Sequence, residues 1–176
     1  KASLRPSDDS PSSAGTRITY PQCTGSRASI APQTGQSGRR PRGQLGSVHK
    51  SSKVGHDRVV IDLQGAPDGY DVRYVDGFNT EGEGRDVLAR GGAKLQVIVR
   101  SPAHDDDGRA TYTPADDTEL MDTRGARTLR QGVWLGSFEG QTSIGLGVRA
   151  RLPYRVHVVD GPGPTSRVIV DIAHTW

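Results

Sequence analysis

From residue 55 onward the apolar residues of this 176-residue chain recur at every second position, and nowhere does a helical period persist for three turns. A chain patterned this way satisfies its backbone by pairing strands, so helical and α/β folds are excluded and an all-β sandwich or barrel is predicted. In the stretch 56–64, Val59, Ile61 and Leu63 fall on one face and Arg58, Val60 and Asp62 on the other. After the turn residues 65–69, Tyr70, Val72 and Tyr74 alternate again, which predicts a hairpin partner for the first strand. Further strands are expected at 94–100, 119–123, 132–138, 142–150, 154–160 and 167–174, separated by Gly and Pro breaks.

The two ends of this β-patterned region repeat one another. Arg58-Val59-Val60-Ile61-Asp62-Leu63 recurs as Arg167-Val168-Ile169-Val170-Asp171-Ile172, keeping the Arg, the Asp and the apolar run between them. At about 3.4 Å per residue, an Arg and an Asp four positions apart stand roughly 14 Å from each other on one strand, too far to pair. Across two adjacent strands they meet, so Arg58, Asp62, Arg167 and Asp171 are expected to staple the first and last strands together.

The net charge of +3 hides a division. Residues 1–54 hold nine Lys/Arg against two Asp, and residues 55–176 hold fourteen against eighteen Asp/Glu, so the first part carries +7 and the second −4. With few large apolar residues and abundant Ser, Pro and Gly, the first part is expected to be a disordered basic linker, and the domain to span 55–176. The Arg39-Arg40-Pro41-Arg42 cluster lacks aromatic neighbours for stacking, which argues against specific nucleic-acid binding. No apolar run approaches the ~18 residues of a membrane span. One Cys excludes disulfide and Cys-based zinc frameworks, and the five His show no metal-ligand spacing, so neither metal nor cofactor is expected. Tyr20-Pro21-Gln22 before Cys23 does not read as a lipidation signal, and no secretory signal is seen in the chain as given.

Catalytic motifs fail on context. Gly145-Leu146-Gly147-Val148-Arg149-Ala150 has the letters of a dinucleotide fingerprint, but Pro153 forbids the helix that such a turn must open. Ser143 lacks the upstream Gly of a nucleophile elbow. Asp105-Asp106-Asp107-Gly108 lacks the spacing of a calcium loop and reads as a solvated acidic loop. An enzyme is therefore not expected.

The stretches Phe138-Glu139-Gly140-Gln141-Thr142-Ser143-Ile144-Gly145-Leu146-Gly147-Val148-Arg149, Leu152-Pro153-Tyr154-Arg155-Val156 and Ser166 to His174, in that order, resemble the C-terminal half of the AMIN-like domain of actinobacterial exported proteins and lipoproteins. Asp57 to Leu63, Gly69-Tyr70, Tyr74-Val75 and Gly92 to Val97 fit its N-terminal half, so the resemblance covers about residues 55–174. It implies an antiparallel β-sandwich and a place outside the cell or in its envelope, where related modules help to localise peptidoglycan amidases. It carries over no catalytic centre.

Two functions follow. One is a non-catalytic module binding peptidoglycan or another envelope polymer. Its expected site is the strand face bearing Ser143, Gly145, Gly147 and Arg149, where glycines admit a flat sugar ring or a backbone. Arg149, Arg151 and Arg155 suit an anionic glycan or peptide carboxylate, Phe138 and Tyr154 offer stacking surfaces, and Gln141 and Ser143 offer hydrogen bonds. The same glycines equally relieve crowding between sheets. The other function is a structural or accessory domain acting on an envelope protein by surface or edge-strand contact.

Overall fold

The computed structural model describes residues 28–36 and 43–176. The expectations for Cys23, for the Arg39–Arg42 cluster and for the first 27 residues lie outside it. Eleven strands make up the described chain, with no helix: β1 (Gln33–Gln36), β2 (Gln44–Lys53), β3 (His56–Gln64), β4 (Gly69–Val75), β5 (Phe78–Asn79), β6 (Asp86–Val87), β7 (Ala93–Val99), β8 (Leu129–Phe138), β9 (Gln141–Val148), β10 (Tyr154–Asp160) and β11 (Thr165–Ala173). They form an antiparallel sandwich of a five-stranded sheet, β1-β4-β7-β9-β8, and a four-stranded sheet, β10-β11-β3-β2, with β5 and β6 as a small separate hairpin.

The period-two pattern explains the core. Val59, Ile61 and Leu63 of β3 and Val168, Val170 and Ile172 of β11 point inward, to meet Leu95, Val97 and Val99 of β7 and Ile144, Leu146 and Val148 of β9. All are essentially inaccessible to water. Burial of this kind stabilises each side chain by about 1.5–3 kcal/mol. Between β8 and β9, Glu139 and Gly140 both take positive φ (50° and 79°), which gives the two-residue turn that puts Phe138 opposite Gln141.

Three expectations are corrected. The folded unit does not begin at residue 55: β2 spans Gln44–Lys53, pairs with β3 along its length, and buries Leu45 and Val48 in the core. Few as they are, those apolar residues fall on the inward positions of a strand that has a partner waiting, and composition averaged over 54 residues concealed them. β4 is not the hairpin partner of β3. The backbone between them bonds elsewhere, Gly43 N–H to the Ala66 carbonyl, Gly65 N–H to Pro164 and Asp68 N–H to Arg100, and this carries the chain into the other sheet. Finally, residues 119–123 form no strand. Asp116 and Asp122 accept the N–H groups two residues on, closing local turns. Leu120 and Met121 are buried consecutively, and Met121 packs against Gly132.

Residues 28–36 form a strap across one open side of the sandwich. β1 pairs with β4, while Ser29 exchanges backbone hydrogen bonds with Tyr154 of β10. The Gln33 side chain imitates a strand, donating to the Tyr154 carbonyl (2.7 Å) and accepting from Val156 N–H (3.1 Å). An exposed edge of β10 is covered by this means.

Candidate functional site

The structure separates the residues expected to bind ligand. Phe138 and Gln141 lie at one end of β9, Arg149, Arg151 and Tyr154 beyond the other, and eight strand residues span about 27 Å. Tyr154 offers no stacking surface: it is fully buried, edge-on to Tyr74, with its hydroxyl 2.7 Å from the carbonyl oxygens of Ala31 and Val72. Burial pushes its ionisation far above the usual phenol range. Ser143 is buried and donates to Glu81. Arg149 donates to the His174 carbonyl, and Arg151 pairs with Asp76 and lies over the Tyr74 ring.

The glycine face is occupied by the chain itself. A methyl group at Gly147 would lie 1.9 Å from the Arg90 carbonyl oxygen, and one at Gly145 would lie 2.6 Å from Val133 and 2.8 Å from the Phe78 ring. Gly147 admits a close backbone approach, but the backbone is that of the segment running from β5 to β7, and Gly145 admits the side chains of Val133 and Phe78. Phe78 packs there with Val133 and Leu135 in a small second core. Of the expected residues only Arg155 stands elsewhere, on the outer face of the four-stranded sheet.

That outer face carries the repeat. The antiparallel register puts Arg167 opposite Asp62 and Asp171 opposite Arg58, so that the two copies of the motif satisfy each other. Arg167 Nε donates to Asp62 at 2.7 Å, and Arg58 grips Asp171 with two donors at 2.7 and 2.9 Å. Extending the register across the sheet gives rows of neighbours: Arg155, Asp171, Arg58 and Ser51; then His157, Ile169, Val60 and His49; then Val159, Arg167, Asp62 and Ser47. Lys53 and His56 lie opposite one another at the end of the face.

Four permanent cations, Lys53, Arg58, Arg155 and Arg167, thus share this face with two carboxylates. Burial pushes the Asp171 carboxyl up, but the Arg58 guanidinium, with His56 and His157 behind it, outweighs that and holds it below the usual carboxylate range. Asp62 is likewise lowered, its desolvation outweighed by Ser47, Arg167 and His49. Both anions are already matched. Arg155, 41 % exposed, donates to Asp171 only at 3.4 Å through Nη2, while its Nε is buried without a partner. A guanidinium so loosely held and partly exposed can turn its outer edge to a further carboxylate or phosphate.

Beside the Asp62–Arg167 pair the face opens into a groove of about 390 Å3 lined by Ser47, Gln64, Pro162 and Thr165 among others. A second hollow of about 370 Å3, near the β8–β9 turn, is acidic, with Asp105, Asp106 and Glu139 in its wall. Asp105 there accepts the N–H groups of Asp107 and Arg109, so its carboxylate closes its own loop. No group of His, Cys, Asp and Glu side chains among the described residues is placed to hold a metal ion.

His49, Lys53, His56 and His157 were missed as members of one face. The signal was present: the repeat marks the outward positions of β3 and β11, and His56 and His157 share that parity. His49 and Lys53 lie in a segment whose composition reads as linker.

No helix among the described residues is long and apolar enough to cross a membrane. The chain matches no curated protein and no solved structure. A family model does match, over residues 44–174, starting at the first residue of β2. With three quarters of its length so covered, a sandwich of the expected class and the paired strands at its two ends, the chain belongs to the AMIN-like domain family.

Proposed function

We propose that this chain is a non-catalytic module of the cell envelope that holds an anionic envelope polymer, such as peptidoglycan, against the outer face of the four-stranded sheet. The family, which is associated with the envelope, supports the setting. The observation that carries the reading is the saturation of Asp171 by Arg58, which leaves the neighbouring Arg155 held only by a 3.4 Å contact and 41 % exposed on the outer face of the sheet. Flat strands with cationic rims suit an extended polymer, whose recurring charges meet Arg155, Arg58 and Arg167 in turn.

Sedimentation with purified, protein-free cell wall tests this. The protein should pellet with the wall, and R155A/R167A should not, while its unfolding midpoint stays near that of the wild type, because exposed charges contribute within about half a kcal/mol each. Binding should weaken as salt rises, exposed charges being screened over about 8 Å at physiological ionic strength. Sedimentation of R155A/R167A equal to wild type removes this face as the site. A wild type that stays in the supernatant and instead pairs with an envelope protein, insensitive to salt, makes the chain an accessory domain.

A further inference from the structure

Histidines are concentrated on the face just described. His49 Nδ1 lies 3.3 Å from Asp62, and His56 Nε2 and His157 Nε2 each lie 3.4 Å from Asp171. The remaining two are placed differently: His104 sits by the acidic loop against the Asp105 carbonyl, and His174 is tucked against Asp57.

We infer that His49, His56 and His157 make the outer face a proton-gated polyanion site, weakly holding when the imidazoles are neutral and strongly holding when they are charged. The inference rests on the reading above and adds its regulation. With neutral imidazoles, the four permanent cations exceed the two carboxylates by two charges; with three protons added the excess is five. The two carboxylates that face these imidazoles have partners already. Asp171 already takes a two-pronged hydrogen bond from Arg58, and Asp62 is shared by Arg167 and Ser47, so each proton adds to the field that a ligand meets.

The groups facing each imidazole set the gate. His157 faces Asp171 from β11, Arg155 from its own strand and Arg58 from β3, and burial together with Arg155 holds it below the ordinary imidazole value. His56 faces Asp171 from β11 and lies opposite Lys53 of β2. His49 faces Asp62 from β3, which also holds Arg167 of β11. A polyanion laid over the face supplies the negative charge that these surroundings lack. By linkage, binding that is favoured by protonation must itself raise the histidine pKa values.

The test uses the full chain and dextran sulfate, whose sulfates stay ionised throughout, at constant ionic strength. Affinity should be about tenfold tighter at pH 5.5 than at pH 8, the combined effect of three positive charges added to the face. H49Q/H56Q/H157Q should gain nothing on acidification. If that variant fails to fold, H49Q and H157Q singly should each lose part of the gain. In NMR spectra at pH 5.5 the polymer should shift the imidazole signals of His49, His56 and His157 and leave those of His104 in place. Equal affinity at both pH values, a gain that survives in the triple variant, or equal shifts at all five histidines overturns the gate while leaving the binding face standing. Absence of binding to dextran sulfate at either pH overturns the gate, and absence of binding to cell wall as well overturns the functional reading beneath it.

Discussion

Asp57, on β3 of the four-stranded sheet, accepts the backbone N–H of Leu129, the first residue of β8 in the five-stranded sheet, at 2.9 Å. The same carboxylate takes the Thr128 and Arg127 N–H groups and touches His174 Nε2 at 3.0 Å, so one buried side chain ties both sheets and the C-terminal segment. Burial pushes the Asp57 carboxyl up, but these hydrogen bonds, Leu129 and Thr128 foremost, hold it below its ordinary value. D57A should therefore lose about 3 kcal/mol or more. A depressed folded pKa adds stability above the unfolded value of about 3.9, and that stability disappears as the pH falls through the folded value. Urea unfolding of wild type and D57N should show a gap that is wide at pH 6 and narrows toward pH 2; a gap independent of pH would rule out the charged tie.

Gly147 admits no side chain. G147A would press a methyl group onto the Arg90 carbonyl, which belongs to backbone and cannot swing aside. The expected cost is about 3 kcal/mol. Unchanged denaturation would show that the segment from β5 to β7 does not press on β9 as described.

The two ion pairs of the repeat differ in worth although their sequences match. Arg58–Asp171 is two-pronged around a carboxylate only 4 % exposed, whereas Arg167–Asp62 is 49 % and 30 % exposed. Double-mutant cycles should give a coupling of about 2 kcal/mol for the first and about 0.5 kcal/mol for the second. Equal couplings would contradict the difference in burial.

Removing residues 1–53 takes away the strap and β2, with Leu45 and Val48, and leaves β3 as an unpaired edge. That loss should consume most of the 5–15 kcal/mol by which domains are ordinarily stable. A chain starting at residue 54 should show no cooperative thermal transition, whereas one starting at residue 28 should; a stable fragment from 54 onward would restore the narrower boundary.

The parts of this molecule that the sequence discloses are those governed by local alternation. β3, β7, β9, β10 and β11 could be placed from the parity of Val, Ile and Leu, and the cross-strand meeting of Arg58 with Asp171 from the spacing of a repeat. Partner choice is another matter. Nothing in Gly65 to Asp68 declares that Gly65 and Asp68 donate to Pro164 and Arg100, that the Ala66 carbonyl accepts from Gly43, and that β4 is thereby sent into the other sheet. The expected binding residues were drawn together wrongly for a related reason. Gly145 and Gly147 correctly signal a close approach, but a sequence does not say whether the visitor is a ligand or Arg90. Arg155 was singled out because it is charged; its neighbours His49, His56 and His157 were not, since they come from three strands that only the sheet brings side by side.

The strap has a topological consequence. Ser29 is bonded to Tyr154, and Tyr154 lies opposite Ile172, so the start of the strap and the end of β11 are two strand spacings apart, about 10 Å. Three or four residues in extended form span that distance. A circular permutant that joins these ends and opens the chain at the Glu139–Gly140 turn would thus keep every strand pairing intact, and the order in which the strands are synthesised becomes separable from the order in which they lie.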